Sequence, residues 1–260
     1  MKKFEISVPD LKAAIDSENP PIVIDVRREP AFMSATEMIS GALRRDPAQA
    51  GTWAKALPKA SALVVYCVHG HEVSQGAAQK LNDQGVAARY LVGGIAAWKA
   101  EHGGVDAKPA NATTRWVTRE RPKIDRIACP WLIARFIDPG AEFLYVPSEW
   151  VLDAAKANDA IPYDVPDVHF SHRGELCSFD AFLNHYRLPD PAIHALAVIV
   201  RGADTARPDL ADQAAGLAAI SLGLSRNFAD DHEMLKHGMV MYDALYTWCR
   251  TVRERELLVP

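Results

Sequence analysis

The fold is decided by the stretch VVYCVHGHEVS, which runs from Val64 to Ser74. Residues 63–66 form a short apolar run, which predicts a buried strand. Cys67 stands where that strand should end, a turn-like segment containing Gly70 follows, and a helical pattern begins near Ser74. The backbone N–H groups of such a loop and the positive end of the next helix favour an anion beside the cysteine.

The nearest anion at this position is the thiolate of Cys67 itself, which is the reactive form of a cysteine. The same N–H groups can hold a sulfur oxyanion, or a persulfide formed on the sulfur. The alternative is that Cys67 is a small buried apolar residue, as most intracellular cysteines are. The loop alone leaves both interpretations open.

Other segments of the first half follow a family pattern when they are taken together with the cysteine loop. They are Asp25-Val26-Arg27 at the end of an apolar strand, Gly41-Ala42 before a helix, and Gly93-Gly94 followed by Trp98. In this order they resemble the rhodanese family, over about residues 4–104. The resemblance implies that Cys67 is the sulfur-carrying nucleophile of a sulfurtransferase.

The alternation of strands and helices in the first half predicts an α/β fold with a parallel sheet flanked by helices. Ligands of such sheets bind beyond the carboxyl ends of the strands, which is where Asp25, Arg27 and Cys67 fall. We expect Asp25 and Arg27 to hold the sheet edge and the loop rather than to touch substrate, although Arg27 stays among the candidates.

The candidate substrate-binding residues are those of the loop together with one arginine: His69, Gly70, His71, Glu72, Val73, Ser74 and Arg27. Histidine side chains can be charged near neutral pH, so His71 could receive an anionic, thiosulfate-like donor. Glu72 would oppose such a donor. The alternative for both histidines is that they only cap the loop by hydrogen bonding.

The loop is one residue longer than in short-loop rhodaneses. Longer loops in this superfamily belong to phosphatases and arsenate reductases of the Cys-x5-Arg type, which need an arginine at the last loop position to clamp an oxyanion. That position is Val73, so phosphatase chemistry is disfavoured. The natural sulfur donor is left open.

The composition indicates a globular protein of 260 residues with 49% hydrophobic residues and a net charge of −4. The length favours two domains, and the charge is too small to indicate a nucleic-acid or membrane surface. We see no signal peptide and no run of transmembrane length. Four widely spaced cysteines, Cys67, Cys129, Cys177 and Cys249, suit free thiols in a reducing cytoplasm. We therefore expect a cytoplasmic protein.

We predict two domains, residues 1–106 and 115–260, joined by a Gly-, Pro- and Ala-rich linker from His102 to Thr114. In the first domain, we expect helices after a Ser7 cap, over residues 48–57 and over residues 74–84. In the second, we expect a helix opened by Cys129-Pro130-Trp131, and a strand over residues 142–146. Further helices are expected over residues 148–157, 178–186 and, after Pro191, up to residue 256.

The second half resembles the C-terminal domain of the chromate-resistance protein B family. The matching stretches are KIDRIACPWLI at residues 123–133, His172 with Cys177-Ser178-Phe179-Asp180, and DDHEM at residues 230–234. The resemblance covers about residues 115–255. It implies a role in chromate response or resistance, with a chromate-type oxyanion as a candidate partner, but it does not say which atoms act. The helical patterns predict a mainly helical α+β domain.

The second half also offers candidate metal ligands. A site assembled from His172, Cys177 and His232 or their neighbours would suit iron or zinc. His232 and His237 are five residues apart, about 140° on a helix, so they do not face one ligand together. The alternative is a set of hydrogen-bonded polar residues. The basic run at residues 119–126 suits a salt-bridged surface better than a nucleic-acid site.

The sequence therefore predicts a sulfurtransferase that forms a Cys67 persulfide from thiosulfate or a related sulfane donor. The sulfur would pass to a thiol or to cyanide, in a protein linked to chromate response. No cofactor is expected for the transfer itself. The alternative is a non-catalytic chromate or redox sensor, in which the first domain only binds an oxyanion.

Overall fold

The computed structural model of the chain describes residues 4–17, 20–54, 62–108, 114–188 and 190–256, without the side chains of residues 253–256. The chain divides into two compact units. Unit 1 comprises Met1–Ala112, Phe136–Asp138 and His185–Asp190, and unit 2 comprises Thr113–Arg135, Pro139–Asn184 and Pro191–Pro260. The division into residues 1–106 and 115–260 remains a prediction. Limited proteolysis of the full chain would test it, with first cuts expected between His102 and Thr114.

The first half of the chain alternates strands and helices, as predicted. Its strands are β1 (Glu5–Ile6), β2 (Ile22–Asp25), β3 (Glu37–Ile39), β4 (Leu43–Arg44), β5 (Leu63–Tyr66), β6 (Ala88–Leu91) and β7 (Val105–Ala107). Its helices are α1 (Val8–Ile15), α2 (Glu29–Met33), α3 (Ala50–Trp53), α4 (Glu72–Asp83) and α5 (Gly94–Ala100). A 3₁₀ turn, Pro47–Gln49, precedes α3.

Five of these strands form one sheet in the order β1-β6-β5-β2-β4, and every neighbouring pair is parallel. All four residues of β5, the strand between β6 and β2, are buried. A parallel sheet covered on both faces needs such continuous apolar strands. The predicted α/β fold of the first half is confirmed, and Cys67 directly follows the central strand of the sheet.

The start of α1 agrees with the sequence prediction, whereas the start of α4 does not. Ser7 caps α1, and its hydroxyl accepts a hydrogen bond from the backbone N–H of Asp10 at 3.2 Å. The helix after the cysteine loop begins at Glu72, with His71 as its N-cap, two residues before the predicted start at Ser74. The loop is therefore shorter than expected, and Glu72, Val73 and Ser74 form the first turn of α4.

Two predictions in the first half were wrong in part. The helix predicted over residues 48–57 is split into a 3₁₀ turn and α3, and residues 55–57 lie outside the described chain. The segment predicted as the start of the linker contains β7, which pairs antiparallel with β3. Linker residues 109–113 lie outside the described residues.

The second half is rich in helices, which confirms the predicted α+β character. Its strands are β8 (Arg115–Arg119), β9 (Glu142–Val146) and β10 (Ala160–Pro162), in a parallel sheet of order β10-β8-β9. Its helices are α6 (Asp125–Leu132), α7 (Val151–Asn158), α8 (Ser178–Tyr186), α9 (Pro191–Asp204), α10 (Ala214–Asn227) and α11 (Asp231–Glu256). A 3₁₀ turn, Ser148–Trp150, leads into α7.

The helix predicted to open at Cys129-Pro130-Trp131 begins instead at Asp125, which places Pro130 inside α6. Proline lacks the N–H that would bond the carbonyl oxygen four residues back. That oxygen belongs to Arg126, and the Tyr145 hydroxyl lies 3.5 Å from it. A π-helical segment, Ile133–Ile137, follows α6. The short strands β8 and β10 were not predicted. No helix in the described part of the chain is long and apolar enough to cross a membrane.

Candidate functional site

Cys67 occupies the carboxyl end of the central strand β5, and its thiol is the centre of the first candidate site. The residue is only 6% exposed. Its Sγ lies 3.2 Å from the Oγ of Ser74, a fully buried residue in the first turn of α4. The backbone N–H groups of His69, His71 and Ser74 also hydrogen-bond the sulfur. The sulfur therefore faces a hydroxyl and a set of N–H groups at the N-terminus of a helix.

This surrounding stabilises the thiolate. Burial alone would raise the pKa of Cys67, but the hydrogen bonds from the Ser74 hydroxyl and from the loop N–H groups outweigh burial. The net pKa of Cys67 is lowered from the ordinary thiol value of 9.0. A lowered pKa raises the thiolate fraction near neutral pH, and the thiolate is the nucleophilic form.

The loop is held in place by backbone contacts with the turn before α5. The N–H of Ile95 donates to the Cys67 carbonyl at 3.0 Å, and the N–H of Ala96 donates to the Val68 carbonyl at 3.1 Å. Gly94 has a φ of +59°, and a Cβ there would lie 2.4 Å from the Cys67 oxygen. Only glycine fits so close to the loop backbone with a left-handed conformation. This explains the Gly-Gly pair that precedes Trp98.

The side chains at the loop mouth are polar and exposed. His69 and His71 are both exposed, with ring centroids 5.9 Å apart, and Val73 is half-buried. Glu72 is exposed and forms an ion pair with Arg28, at 3.2 Å between Oε1 and a guanidinium nitrogen. Arg28 is not among the site residues predicted from the sequence. Its position directly after the Asp-Val-Arg segment of a parallel strand was the available signal, since such strand ends meet at one edge.

Asp25 and Arg27, from the end of β2, form a buried pair beneath this edge. Asp25 is 0% exposed and Arg27 3%. The Arg27 Nε donates to both carboxylate oxygens, at 3.0 and 2.9 Å, and one terminal nitrogen donates to the Glu37 carbonyl at 3.0 Å. The Tyr66 hydroxyl donates to Asp25 at 3.0 Å. These contacts fit the sheet-edge role expected for the pair rather than direct substrate contact by Arg27.

A second polar group lies in the second half of the chain. Asp125, Asp164 and His172 each offer one ligand atom, and these atoms all lie within 4.8 Å of one another. The Nε2 of His172 is 3.5 Å from Asp125 Oδ2 and 3.4 Å from Asp164 Oδ1. It is also 3.0 Å from Asp204 Oδ2. We call these four residues the acidic cluster.

The acidic cluster collects residues from four separate places in the chain. Asp125 starts α6, Asp164 follows β10, His172 lies in the irregular segment before α8, and Asp204 ends α9. Asp125 and Asp164 are 1% and 5% exposed. Burial and the neighbouring carboxylates raise the pKa of Asp204 to about 7. The hydrogen bonds with Asp125 and Asp164 raise the pKa of His172 to about 10. The cluster thus favours positive charge.

The structure brings only one of the three predicted metal ligands into this cluster. Cys177 is fully buried, and burial raises the pKa of its thiol far above the ordinary value. His232 is exposed and packs edge-on against the ring of Tyr145, at 5.5 Å between centroids. The three carboxylates of the cluster are not among the metal ligands predicted from the sequence. Asp125 at least lies within the stretch KIDRIACPWLI, whereas Asp164 and Asp204 carry no local signal.

Two family models match the chain. Residues 7–101 match the rhodanese-like domain, a sulfurtransferase-type domain. Residues 116–249 match the model described as ChrB, C-terminal domain, and this match covers more than half of the 260 residues. Both resemblances predicted from the sequence are therefore confirmed.

The curated relatives include a ChrB protein and a thiosulfate sulfurtransferase. Protein ChrB of Cupriavidus metallidurans is 32% identical over 143 residues, which are 54% of this chain and 42% of that protein. Thiosulfate sulfurtransferase GlpE of Coxiella burnetii is 36% identical over 87 residues, which are 33% of this chain and 78% of that protein. The chain therefore spans less than half the length of its ChrB relative.

Solved structures include similar chains. A rhodanese-related protein from Thermoplasma volcanium is 24% identical with a TM-score of 0.35, and covers 40% of this chain and 98% of its own. A rhodanese-like domain protein from Staphylococcus aureus is 22% identical with a TM-score of 0.35, and covers 41% of this chain and 99% of its own. By its family matches, the chain carries a rhodanese-like domain and belongs to the family defined by the C-terminal domain of ChrB.

Proposed function

We propose that the protein is a sulfurtransferase that carries sulfur as a persulfide on Cys67. The observation that supports this most directly is the surrounding of the thiol, where the Ser74 hydroxyl and three backbone N–H groups lower its pKa. The similarity to the thiosulfate sulfurtransferase GlpE points to the same chemistry. Nucleophilic catalysis needs an activated nucleophile held in a fixed position, and the loop supplies both conditions.

The transfer takes place in two displacements. The Cys67 thiolate attacks the outer sulfur of thiosulfate or a related sulfane donor, and a new S–S bond forms. The donor's own S–S bond breaks, and its electron pair leaves with sulfite. A thiolate or cyanide then attacks the outer sulfur of the persulfide, and the electron pair of that S–S bond returns to Cys67. Atoms and electrons balance without an external oxidant.

The loop N–H groups have a role in both displacements. Each step has an anionic sulfur at or next to Cys67: first the thiolate, then the persulfide, then the thiolate again. Fixed N–H dipoles at the N-terminus of α4 stabilise such anions without reorganisation during the reaction. Val73 cannot donate a hydrogen bond from its side chain, so a phosphatase-type arginine clamp is absent from the loop.

The test compares Cys67→Ser with Cys249→Ala, which removes another buried thiol. We expect Cys67→Ser to abolish sulfur transfer from thiosulfate to cyanide, because a serine hydroxyl cannot carry the sulfane sulfur. Intact mass spectrometry after thiosulfate treatment should find one added sulfur atom in the wild type and in Cys249→Ala, but not in Cys67→Ser. Wild-type turnover by Cys67→Ser would disprove the assignment.

We further propose that this activity serves a response to chromate, since the second half belongs to the ChrB C-terminal family. The competing function is a sensor that binds an oxyanion without turnover. A titration of the full chain with chromate, monitored by tryptophan fluorescence and by sulfur-transfer rate, separates the two. A fluorescence change together with no thiosulfate turnover under any condition would favour the sensor.

A further inference from the structure

We propose that Asp125, Asp164 and His172 bind a divalent first-row transition-metal ion such as Mn²⁺ or Fe²⁺, with Asp204 as a neighbouring carboxylate. This metal site lies in the acidic cluster, and it does not depend on the chemistry of Cys67. It replaces the ligand set His172, Cys177 and His232 expected from the sequence.

Asp125 carries a buried oxygen that has no hydrogen-bond partner in the described part of the chain. Asp125 is 1% exposed, and its Oδ2 accepts a hydrogen bond from the Ser178 N–H at 2.6 Å. Its Oδ1 is buried and has no hydrogen-bond partner among the described residues. An unsatisfied buried carboxylate oxygen is costly, and a bound cation is one of the few groups that removes the cost.

His172 faces several carboxylates at once. Its Nε2 lies within 3.5 Å of an oxygen from each of three carboxylates, Asp125, Asp164 and Asp204. A protonated imidazole nitrogen carries one hydrogen and can direct it well at only one acceptor. A metal ion accepts several oxygen ligands and the neutral ring nitrogen at the same time.

The remaining contacts of the cluster leave these atoms available. Both guanidinium groups near Asp164, from Arg119 at 2.8 Å and Arg126 at 3.3 Å, contact its Oδ2. Its Oδ1 accepts from the Ser178 hydroxyl at 2.8 Å and faces His172. One oxygen of Asp164 is therefore held by cations of the protein, while the other belongs to the cluster.

The donor set selects the class of metal. Carboxylate oxygens suit Mn²⁺, Mg²⁺ and Ca²⁺, whereas an imidazole suits Fe²⁺, Zn²⁺, Cu²⁺ and Ni²⁺. Two carboxylates with one imidazole lie between these preferences, which favours Mn²⁺ or Fe²⁺. The described cluster contains no thiolate, and thiolates are the ligands that most favour zinc. His172 is 41% exposed, so an ion can reach the cluster from solvent.

The test uses Mn²⁺ as the probe, because Mn²⁺ binds thiols weakly and so avoids Cys67. The purified full chain is stripped with a chelator and titrated with Mn²⁺, and the free ion is followed by its electron paramagnetic resonance signal. We expect one bound ion per chain, and an affinity at least about tenfold lower in His172→Gln and Asp125→Asn. Asp153→Asn and His232→Gln are matched controls on exposed helix positions, and should bind as the wild type does.

Thermal unfolding of the same samples gives the second measurement, since an ion bound only by the folded state raises Tm. Mn²⁺ should raise the Tm of the wild type and of both controls, but not of the two ligand variants. If Asp125→Asn does not fold, the half-exposed His172→Gln decides the question. Absence of Mn²⁺ binding by the wild type, or equal binding by His172→Gln, would overturn the proposal. An equal loss in His232→Gln would overturn the ligand assignment.

Discussion

The cysteine loop and the acidic cluster use opposite electrostatics and opposite ways of assembly. The loop surrounds one sulfur with N–H groups from His69, His71 and Ser74, which favour an anion. The acidic cluster surrounds one imidazole with three carboxylates, which favour a cation. The loop is continuous in sequence, whereas the cluster is assembled from segments up to 79 residues apart.

This difference explains why the sequence points to the cysteine loop but not to the acidic cluster. A loop after a buried strand places its N–H groups by local geometry, so a short stretch of sequence carries the whole site. The acidic cluster exists only because α6, α9 and the segment after β10 pack together. Scattered carboxylates are common in any sequence, and their meeting point is a property of the tertiary structure.

Among substitutions that leave Cys67 in place, the largest effect is expected from Gly94→Ala. An added Cβ would lie 2.4 Å from the Cys67 carbonyl oxygen, and a φ of +59° disfavours alanine. The left-handed conformation alone costs a non-glycine residue about 1–2 kcal/mol, and the backbone overlap adds to that. We expect a Tm lower by about 5 °C and sulfur transfer reduced by more than about tenfold. Thermal unfolding and thiosulfate:cyanide kinetics measure both quantities.

Gly76→Ala is the matched control for this variant. Gly76 lies inside α4, and an added Cβ there meets nothing within 4 Å. Alanine in a helix interior is favoured over glycine by about 0.5–1 kcal/mol, so Tm should stay equal or rise. If Gly94→Ala behaved like Gly76→Ala, the loop would not depend on its close contact with the turn before α5.

Ser74→Ala should produce the next largest effect, through the pKa of Cys67. The hydroxyl is the first of the contacts that lower this pKa, so its removal raises the pKa. A raised pKa leaves less thiolate at neutral pH, and we expect kcat/KM at pH 7 to fall about tenfold. The rate should recover as pH rises toward 9.0, the ordinary value for a thiol. A loss of equal size at every pH would show that Ser74 acts in another way.

Local signals predicted much of the fold, and the failures have physical reasons. The Ser7 cap, strand β9 and helix α8 were found because caps, apolar runs and helical periodicity are local. The start of α6 was missed because Pro130 normally begins a helix, whereas here tertiary packing keeps it inside one. Cys67 was predicted from its loop. Arg28, Asp164 and Asp204 were missed because their roles depend on contacts between distant segments.

A smaller effect is expected from the exposed pair Arg28 and Glu72, whose charges act in opposite directions on an anionic donor. Arg28→Gln should raise the KM for thiosulfate, and Glu72→Gln should lower it, each by about two- to threefold. Exposed charges are screened, so both effects should shrink at high salt. Steady-state kinetics at low and high ionic strength check this. Shifts in the same direction for the two variants would contradict a purely electrostatic role.

The smallest effect is expected from His71→Ala. The imidazole is exposed at the loop mouth, while the backbone N–H of His71 hydrogen-bonds the sulfur and remains in the variant. The substitution therefore removes only the contact of the side chain with the donor. The KM for thiosulfate should rise about twofold, and kcat should change less, because a ground-state binding contact is lost.

This effect should depend on the charge of the donor. An uncharged sulfur donor should show a smaller difference between His71→Ala and wild type than thiosulfate does. His102→Asn, which alters an exposed histidine away from the loop, should show none. If His71→Ala left thiosulfate kinetics unchanged, the donor anion would be held by backbone N–H groups and Arg28 alone. His71 would then serve only as the N-cap residue of α4.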